Sequence, residues 1–131
     1  MSLKKWIKFI IENKGKKLGE INFVFSSDDY VIEINKKYLK HNFFTDIITF
    51  NYNNSNVING DIFISIDTVE KNAKIYNVSF EVEIHRVIIH GVLHLLGFDD
   101  KLEYQQKIMK LEEDRCLSFF DSKSFLKTKN S

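Results

Sequence analysis

The sequence predicts an α+β fold in which a small mixed β-sheet packs against about four to five helices. Strand-like patterns are concentrated in the first half of the chain, and helical patterns dominate the second half. This segregation is typical of α+β folds, whereas a parallel α/β sheet requires strands and helices that alternate. We find no internal repeat, no low-complexity segment and no interdomain linker, so residues 1–131 are expected to form a single domain.

The first third of the chain is predicted to form a helix, a strand and a second helix. Apolar residues recur at helical spacing over residues 3–13, and the sequence NKGKK ends that helix. The alternating sequence GEINFVF predicts a strand at 20–25. Ser27 is a favourable N-cap for a helix that reaches about Lys37. This helix is expected to bury three apolar side chains, Val31, Ile34 and Tyr38.

The rest of the chain is predicted to form a β-hairpin and three helices. Two β-rich segments, 45–52 and 60–66, flank the polar sequence NNSN and predict an antiparallel pair. Three helices follow, over 67–77, 79–97 and 102–117. Asp67 is expected to cap the first of them and Ser79 the second. The third is expected to face the core with Leu102, Ile108, Leu111 and Cys116, and the tail beyond about residue 120 to be frayed.

The composition excludes several classes of protein. Hydrophobic residues make up 44% of the chain and charged residues 28%, which excludes a disordered protein. No segment approaches the roughly 20 apolar residues of a membrane span. Lys8 interrupts the N-terminal apolar sequence WIKFII, which argues against a signal peptide, and the lone Cys116 excludes an internal disulfide. We therefore expect a cytoplasmic protein whose net charge of +1 gives no global attraction for nucleic acid.

The most informative segment is HGVLHLLGFDD at residues 90–100. Its helix is apolar around most of its circumference, which is typical of a helix at the centre of a domain. At about 100° per residue, its polar residues form one narrow stripe, Glu83, Arg86, His90, His94 and Gly97. Because burying polar groups without partners is costly, this stripe requires a partner.

The histidine pair predicts a metal site. His90 and His94 are four residues apart, so their imidazoles can converge on one ion. Gly97 suits a helix end, after which Asp100 has the spacing of the third ligand in the metzincin motif. Asp99 is the rival third ligand, and the competing interpretation is two hydrogen-bonded core histidines followed by an acidic cap. We predict one zinc ion per chain, bound by His90, His94 and Asp100, with one coordination site open.

The residue after the first histidine of the pair, and the isolated histidines elsewhere, limit the catalytic roles that can be assigned. Peptidases with the HExxH motif carry their general base directly after the first histidine, and here that position is Gly91. The residues thus suggest a metal-assisted hydrolase without an obvious side-chain base, and we assign no catalytic side chain. The isolated histidines His41 and His85 are interpreted as structural.

The same segment resembles the motif HGxLHLxGYDH of the YbeY endoribonucleases, a family of ribosomal RNA maturation factors. TDIITF at 45–50 resembles the family's TDVLSF, GDIFIS at 60–65 resembles its GDI strand, and NKKY at 35–38 also matches. The resemblance covers roughly residues 20–115. It implies a small mixed sheet with packed helices and a zinc-dependent, single-strand-specific endoribonuclease. It further implies maturation of the 3′ end of small-subunit ribosomal RNA, ribosome quality control, and the small ribosomal subunit as a partner.

The chain departs from the family pattern at two positions. Both histidines of the pair match the first two zinc ligands of the family, but Asp100 stands where the family has a third histidine. The carboxylate adds one negative charge to the site and so affects the choice of metal. Leu39 stands where the family usually has an arginine linked to its RNA chemistry, and Lys40 or Arg86 are the candidates to supply that charge.

RNA would have to be held by local positive charge. Two groups of basic residues are available, although such lysines are often simply solvated: Lys4, Lys5, Lys8, Lys14, Lys16 and Lys17, then Lys36, Lys37, Lys40 and His41. Asp46 and Asp61, at strand starts, are interpreted as structural rather than as cleft residues. Two alternatives to the nuclease remain: a metal-dependent peptidase with a displaced base, and a non-catalytic, metal-stabilised module for ribosome assembly.

Overall fold

The computed structural model describes residues 2–39 and 47–120, and within them five α-helices pack around a three-stranded sheet. The elements are α1 Leu3–Asn13, β1 Lys17–Ser26, α2 Asp28–Ile34, β2 Ile47–Asn51, β3 Val57–Ser65, α3 Ile66–Ile75, α4 Phe80–Leu95 and α5 Glu103–Phe120. A π-helical turn, Asn35–Leu39, continues α2. The expected α+β class, mixed sheet and number of helices are confirmed. Of the described residues, none belongs to a helix long and apolar enough to cross a membrane.

The sheet has the strand order β1-β3-β2, with β3 at its centre. β2 and β3 pair in antiparallel fashion, which confirms the predicted hairpin, whereas β1 runs parallel to β3. Alternate residues of β3 are buried, ending with Ile62 and Ile64, and they face the main core. The opposite face of the sheet is covered in part by α2, where Val31 and Ile34 pack against Ile48. The sheet therefore separates a large hydrophobic cluster, which lies under α1, α4 and α5, from a small hydrophobic cluster under α2.

Helix α4 lies directly on the sheet, and two glycines permit this close approach. A Cβ atom at Gly91 would lie 2.8 Å from Ile47 Cδ1 and 3.0 Å from Ile62 Cγ2. On the facing strand, a Cβ atom at Gly60 would lie 2.7 Å from the backbone oxygen of Phe50 and 2.8 Å from Leu95 Cδ2. Contacts this short do not occur between ordinary side chains. The glycines thus fix the distance between the sheet and the helix that carries the histidine pair.

We expect Gly60→Ala to destabilise the protein more than Gly91→Ala. At position 60 the new methyl group meets a backbone oxygen, which cannot move without distorting the strand, so a loss of about 1–3 kcal/mol is expected. At position 91 it meets only the ends of isoleucine side chains, and alanine regains up to about 1 kcal/mol of helix propensity. Urea unfolding of both variants measures the difference. Equal losses, or a larger loss at position 91, would contradict this account of the interface.

The core also joins the first and last described helices. Trp6 on α1 is fully buried, and its Nε1 donates a hydrogen bond of 2.8 Å to the backbone oxygen of Cys116 on α5. Burial raises the pKa of the Cys116 thiol to about 11, so the thiol stays protonated and unreactive at neutral pH. The inward orientation predicted for Cys116 is confirmed.

Three other residues of the helix predicted over 102–117 were expected to face inward but are exposed, namely Leu102, Ile108 and Leu111, and α5 begins one residue after Leu102. The helix instead packs through Met109, Glu113 and Cys116, which are separated by four and three residues. The prediction was wrong because it assigned the buried face from the apolar residues alone. The buried face includes a glutamate, and that glutamate serves the site described below.

Two further details of the helices correct the prediction. Tyr38 is exposed, because the α-helix ends at Ile34 and the wider π-helical turn carries Tyr38 away from the buried side. Helix α3 is capped by Ser65, whose Oγ accepts from the backbone N–H of Thr68 at 3.3 Å, and not by Asp67. Asp67 lies in the first turn and accepts a hydrogen bond from the backbone N–H of Asp28, which ties α3 to α2. The tail beyond residue 120 lies outside the described residues.

Candidate metal centre

The candidate site lies at the C-terminal end of α4, where the helix stops sharply. Gly97 has a φ of 103°, and its N–H donates to the oxygen of His94 at 3.0 Å. The N–H of Phe98 donates to the oxygen of Leu93, also at 3.0 Å. These two bonds form a Schellman motif, which favours glycine because L side chains rarely adopt a positive φ. The motif turns the chain back, so that Asp100 returns to the face of α4 that carries the histidines.

His90, His94 and Asp100 meet at a single point. His90 Nε2 lies 3.0 Å from His94 Nε2 and 3.1 Å from Asp100 Oδ2, and the third side of the triangle is 3.3 Å. Tetrahedral zinc with ligand bonds of about 2.0–2.1 Å places its ligand atoms about 3.3 Å apart. The donor set and its spacing therefore fit a zinc ion. Asp99 is exposed, and its neighbour Asp100 is the carboxylate that faces the histidine pair.

A buried carboxylate determines which nitrogen of His90 faces this point. Glu113 on α5 is 7% exposed, and its Oε2 lies 2.5 Å from His90 Nδ1. An ionised carboxylate can only accept, so Nδ1 carries the proton and Nε2 presents its lone pair. This is the arrangement found behind metal-binding histidines, in which a second carboxylate fixes the tautomer and the ring orientation. The contact is thus a further observation that fits a metal.

Arg86 holds the buried carboxylate in place. Its Nη1 donates to Glu113 Oε1 at 2.8 Å, and its Nη2 donates to Asp114 Oδ1 at 2.6 Å. Burial lowers the pKa of Arg86, but the hydrogen bonds to Asp114 and Glu113 outweigh it and raise the pKa above its ordinary value. The guanidinium therefore stays charged and compensates Glu113, which would otherwise be costly to bury.

The other two ligand candidates are positioned through the backbone. Gln106 on α5 donates from Nε2 to the backbone oxygen of Asp100 at 3.0 Å, which ties the loop after α4 to the start of α5. Asn53, between β2 and β3, donates from Nδ2 to the backbone oxygen of Leu95 at 2.8 Å. The second bond satisfies a carbonyl of the last turn of α4, next to His94. The chain between Leu95 and Asp100 is thus fixed to neighbouring elements at both of its ends.

A cleft of about 500 Å³ opens beside the triangle. It is lined by Tyr76, Val78, Glu83, Arg86, His90, Asp100, Gln106, Met109, Lys110 and Glu113. The side chains of His90 and His94 are each 22% exposed, and that of Asp100 is 37% exposed, so the point where they meet is accessible. The lining includes three members of the polar stripe predicted on α4, Glu83, Arg86 and His90.

Several other residues singled out in the sequence lie away from this cleft. Lys14 binds Glu112 at 2.6 Å, and Lys8 lies 4.0 Å from Glu12. His85 packs among aromatic rings, with Trp6 and Phe120 at centroid distances of 5.7 Å and 4.6 Å.

Asp61 lies on the opposite face of the sheet from α4, and its Oδ1 accepts from Asn22 Nδ2 at 3.1 Å. Lys36 and Lys37 are exposed on the π-helical turn. Lys40, His41 and Asp46 fall outside the described residues, as does the side chain of Leu39.

Sequence reasoning missed Glu113 and its contact with His90. The two residues are 23 positions apart, so no local spacing connects them. One signal was available, because Glu113 lies four residues after Met109 and three before Cys116, on the same helical face as both. An acidic residue on an apolar stripe requires a buried partner.

The chain is similar in sequence and in fold to known proteins. A family model described as "Endoribonuclease YbeY" matches residues 1–121. An endoribonuclease YbeY of Parabacteroides distasonis is 48% identical over 113 residues, which cover 86% of this chain and 80% of the relative. One from Flavobacterium johnsoniae is 45% identical over 115 residues, covering 88% and 83%. The solution structure of TM1509 from Thermotoga maritima has a TM-score of 0.62 at 27% identity, and the match covers 93% of this chain and 83% of that one.

Proposed function

As the chain belongs to the endoribonuclease YbeY family, and is thus a hydrolase, we propose that it cleaves single-stranded RNA with a zinc ion held by His90, His94 and Asp100. One observation carries this proposal. Two imidazole nitrogens and a carboxylate oxygen lie within 3.3 Å of one another beside an open cleft. Three protein ligands leave a coordination position for water or substrate, as in catalytic zinc sites.

The proposed substrate is ribosomal RNA, and the proposed step is maturation of the 3′ end of small-subunit RNA in the cytoplasm. Ribosome quality control and the small ribosomal subunit as a partner belong to the same proposal. Its support is the resemblance of HGVLHLLGFDD, TDIITF and GDIFIS to the family motifs, together with the extent of the match to YbeY endoribonucleases. Every phosphodiester of RNA carries a neighbouring 2′-hydroxyl, so the substrate supplies a nucleophile that the protein does not need to provide.

In the proposed mechanism, the residues of the chain mainly hold the metal, orient its ligands and contact the RNA. When bound, the metal would act as a Lewis acid on a phosphoryl oxygen or lower the pKa of a water molecule. Glu113 accepts a hydrogen bond from His90 Nδ1 and so orients the ring, and Arg86 binds Glu113 and orients it in turn. Lys110 lines the cleft on α5 and is exposed, so it is available to contact a backbone phosphate. Arg86 is already paired with two carboxylates, and its role is positioning rather than replacing the arginine absent at position 39.

A peptidase mechanism is disfavoured by the position that follows His90. Gly91 faces the sheet, and a side chain there would collide with Ile47 and Ile62. The glutamate that acts as the general base of an HExxH peptidase is therefore absent at this position, and no side chain of its size would fit there. The non-catalytic assembly module differs from our proposal in one respect, because it would bind metal without cleaving RNA.

Cleavage assays on the zinc-loaded protein test the proposal. We expect about one zinc per chain after purification without chelator, and cleavage of single-stranded RNA that stops on chelation and returns with added zinc. His94→Ala should have no activity on RNA, and casein should remain intact with both proteins. Zinc binding without RNA cleavage would favour the assembly module, and metal-dependent cleavage of casein that His94→Ala abolishes would favour the peptidase.

A further inference from the structure

A second concave surface lies on the face of the sheet opposite α4. Because side chains alternate along β3, Ile62 and Ile64 point toward the core, whereas Asp61 and Phe63 point to the other face. There they border a groove of about 320 Å³ with residues of α2, the π-helical turn and β2. Its lining is Tyr30, Ile34, Tyr38, Phe50, Tyr52, Asp61 and Phe63, and we call it the aromatic groove. The metal site uses none of these residues.

The rings of the aromatic groove are held by one another but remain accessible. Phe50 and Phe63 meet edge to face at a centroid distance of 5.7 Å. Tyr38 packs against Phe50 at 5.9 Å, and Tyr30 packs against Phe63 at 6.3 Å. Tyr30, Tyr38 and Tyr52 are nevertheless 42%, 57% and 58% exposed. Exposed aromatic side chains clustered in this way mark a binding surface more often than scattered surface residues do.

The charges around the aromatic groove differ between its floor and its rim. Asp61 places a carboxylate in the groove itself. Desolvation, followed by the charge of Asp61, raises the pKa of the Tyr52 phenol, so the hydroxyl remains a neutral donor at physiological pH. At the rim, Lys36 and Lys37 are exposed on the same turn as Tyr38, and Lys37 Nζ lies 5.3 Å from the centroid of the Tyr38 ring. A ligand that fits both regions has hydrogen-bond donors inside the groove and negative charge outside it.

We propose that the aromatic groove binds unpaired nucleobases of an RNA strand, which stack on Tyr30, Tyr38 and Tyr52 while Lys36 and Lys37 contact the phosphates. This proposal rests on the proposed function. Stacking on aromatic rings and electrostatic contact with the backbone are how proteins bind single-stranded nucleic acid. Asp61 would repel a phosphate but can accept hydrogen bonds from the exocyclic amino groups of bases.

The aromatic groove connects to the metal site through one residue. Tyr52 precedes Asn53, whose side chain donates to the backbone oxygen of Leu95, and Leu95 directly follows His94. Tyr52, which lines the groove, is therefore adjacent in the chain to a residue that contacts the C-terminal end of α4. We infer that one RNA strand can place unstacked bases in the groove while its backbone continues past Asn53 to the end of α4. The groove would therefore select single-stranded RNA before cleavage.

Binding of a fluorescently labelled single-stranded RNA tests the proposal with Tyr38→Ala and Tyr52→Ala. Loss of one stacking partner should lower the affinity by about 5- to 150-fold, which corresponds to about 1–3 kcal/mol per base. Tyr38→Phe and Tyr52→Phe keep the rings and should stay near the wild type. Tyr104→Ala is the matched control, because Tyr104 is 60% exposed on α5 and does not line the aromatic groove. Thermal melting of each variant verifies that it is folded.

A second RNA with the same backbone but without bases separates stacking from charge. The alanine variants should bind this abasic strand as the wild type does, whereas Lys36→Ala and Lys37→Ala should weaken both strands and reduce the salt dependence. In cleavage assays the tyrosine variants should raise KM and leave kcat unchanged. If the wild type cleaves RNA and the folded alanine variants bind it unchanged, the inference about the aromatic groove is wrong. If the zinc-loaded wild type does not cleave RNA, the proposed function fails, but weaker RNA binding by the folded alanine variants still supports the inference about the groove and unchanged binding overturns it.

Discussion

Asp100→Ala is expected to purify without its metal and to lose cleavage of single-stranded RNA. The carboxylate is one of three side chains whose ligand atoms meet within 3.3 Å, and without it only the histidine pair remains. Two imidazoles on adjacent turns of a helix form an incomplete site for zinc, which requires three protein ligands in catalytic centres. Elemental analysis and RNA cleavage under zinc-buffered conditions measure the two losses.

The adjacent carboxylate provides the control for this substitution. Asp99→Ala removes the same group one position earlier, where it is exposed. It should keep its zinc and its activity, because Asp100 is the residue that lies 3.1 Å from His90 Nε2. The reverse result, with metal lost in Asp99→Ala and kept in Asp100→Ala, would exchange the third ligand. Metal retained in both variants would mean that neither aspartate is needed to bind it.

The part of the site that could be predicted from the sequence is the part built by one helix and its end. The spacing of His90 and His94, the glycine that stops the helix and the carboxylate three residues later are local features, and local geometry places them together. The hairpin of β2 and β3 was predictable for the same reason, because a short polar connection joins two β-rich segments. Each of these contacts depends on residues that are close in the chain.

The rest depends on packing between distant segments, which a single sequence does not specify. The parallel pairing of β1 with β3 joins strands separated by about 40 residues, such as Asn22 with Asp61. The buried face of α5 was assigned incorrectly because its apolar residues form no clean stripe and Glu113 is among the buried ones. The aromatic groove was missed because Tyr38 was expected in the core, and because its rings come from α2, the π-helical turn, β2 with the residue after it, and β3.

The buried charges behind the proposed metal site have an energetic cost that suggests a function. A hydrophobic replacement for a buried ion pair is often neutral or stabilising, so Arg86 and Glu113 are poorly explained by stability alone. Glu113 instead contacts His90 through one oxygen and Arg86 through the other. The pair therefore transmits a fixed orientation from α5 to His90, the proposed metal ligand on α4. A carboxylate behind a histidine ligand also raises the basicity of the ligand nitrogen.

Glu113→Gln should weaken zinc binding by about 10- to 100-fold, the range typical for loss of a residue that orients a ligand. Glutamine has nearly the shape of glutamate, but it lacks the charge that favours the Nδ1 proton of His90, and it removes one of the two carboxylates that Arg86 binds, leaving the contact with Asp114. Competition with a chromophoric chelator measures the affinity, and thermal melting of the metal-free protein measures stability separately. A purely structural role would lower the melting temperature and leave the zinc affinity of the folded protein unchanged.

Glu112→Gln is the matched control, because Glu112 is the adjacent carboxylate on α5 and points to a different element. It binds Lys14 at 2.6 Å and Arg115 at 3.1 Å, and the contact with Lys14 joins α5 to the end of α1.

Burial raises the pKa of Glu112, but Lys14 and Arg115 outweigh it and lower the pKa below its ordinary value of 4.5. Its contribution to stability is therefore present above about pH 4.5 and disappears as the pH falls through the lowered pKa of the folded state. We expect Glu112→Gln to lose stability at neutral pH, to approach the wild type in acid, and to keep wild-type zinc affinity. An equal loss of zinc affinity in both variants would show that charge on α5, rather than the contact between Glu113 and His90, supports the metal.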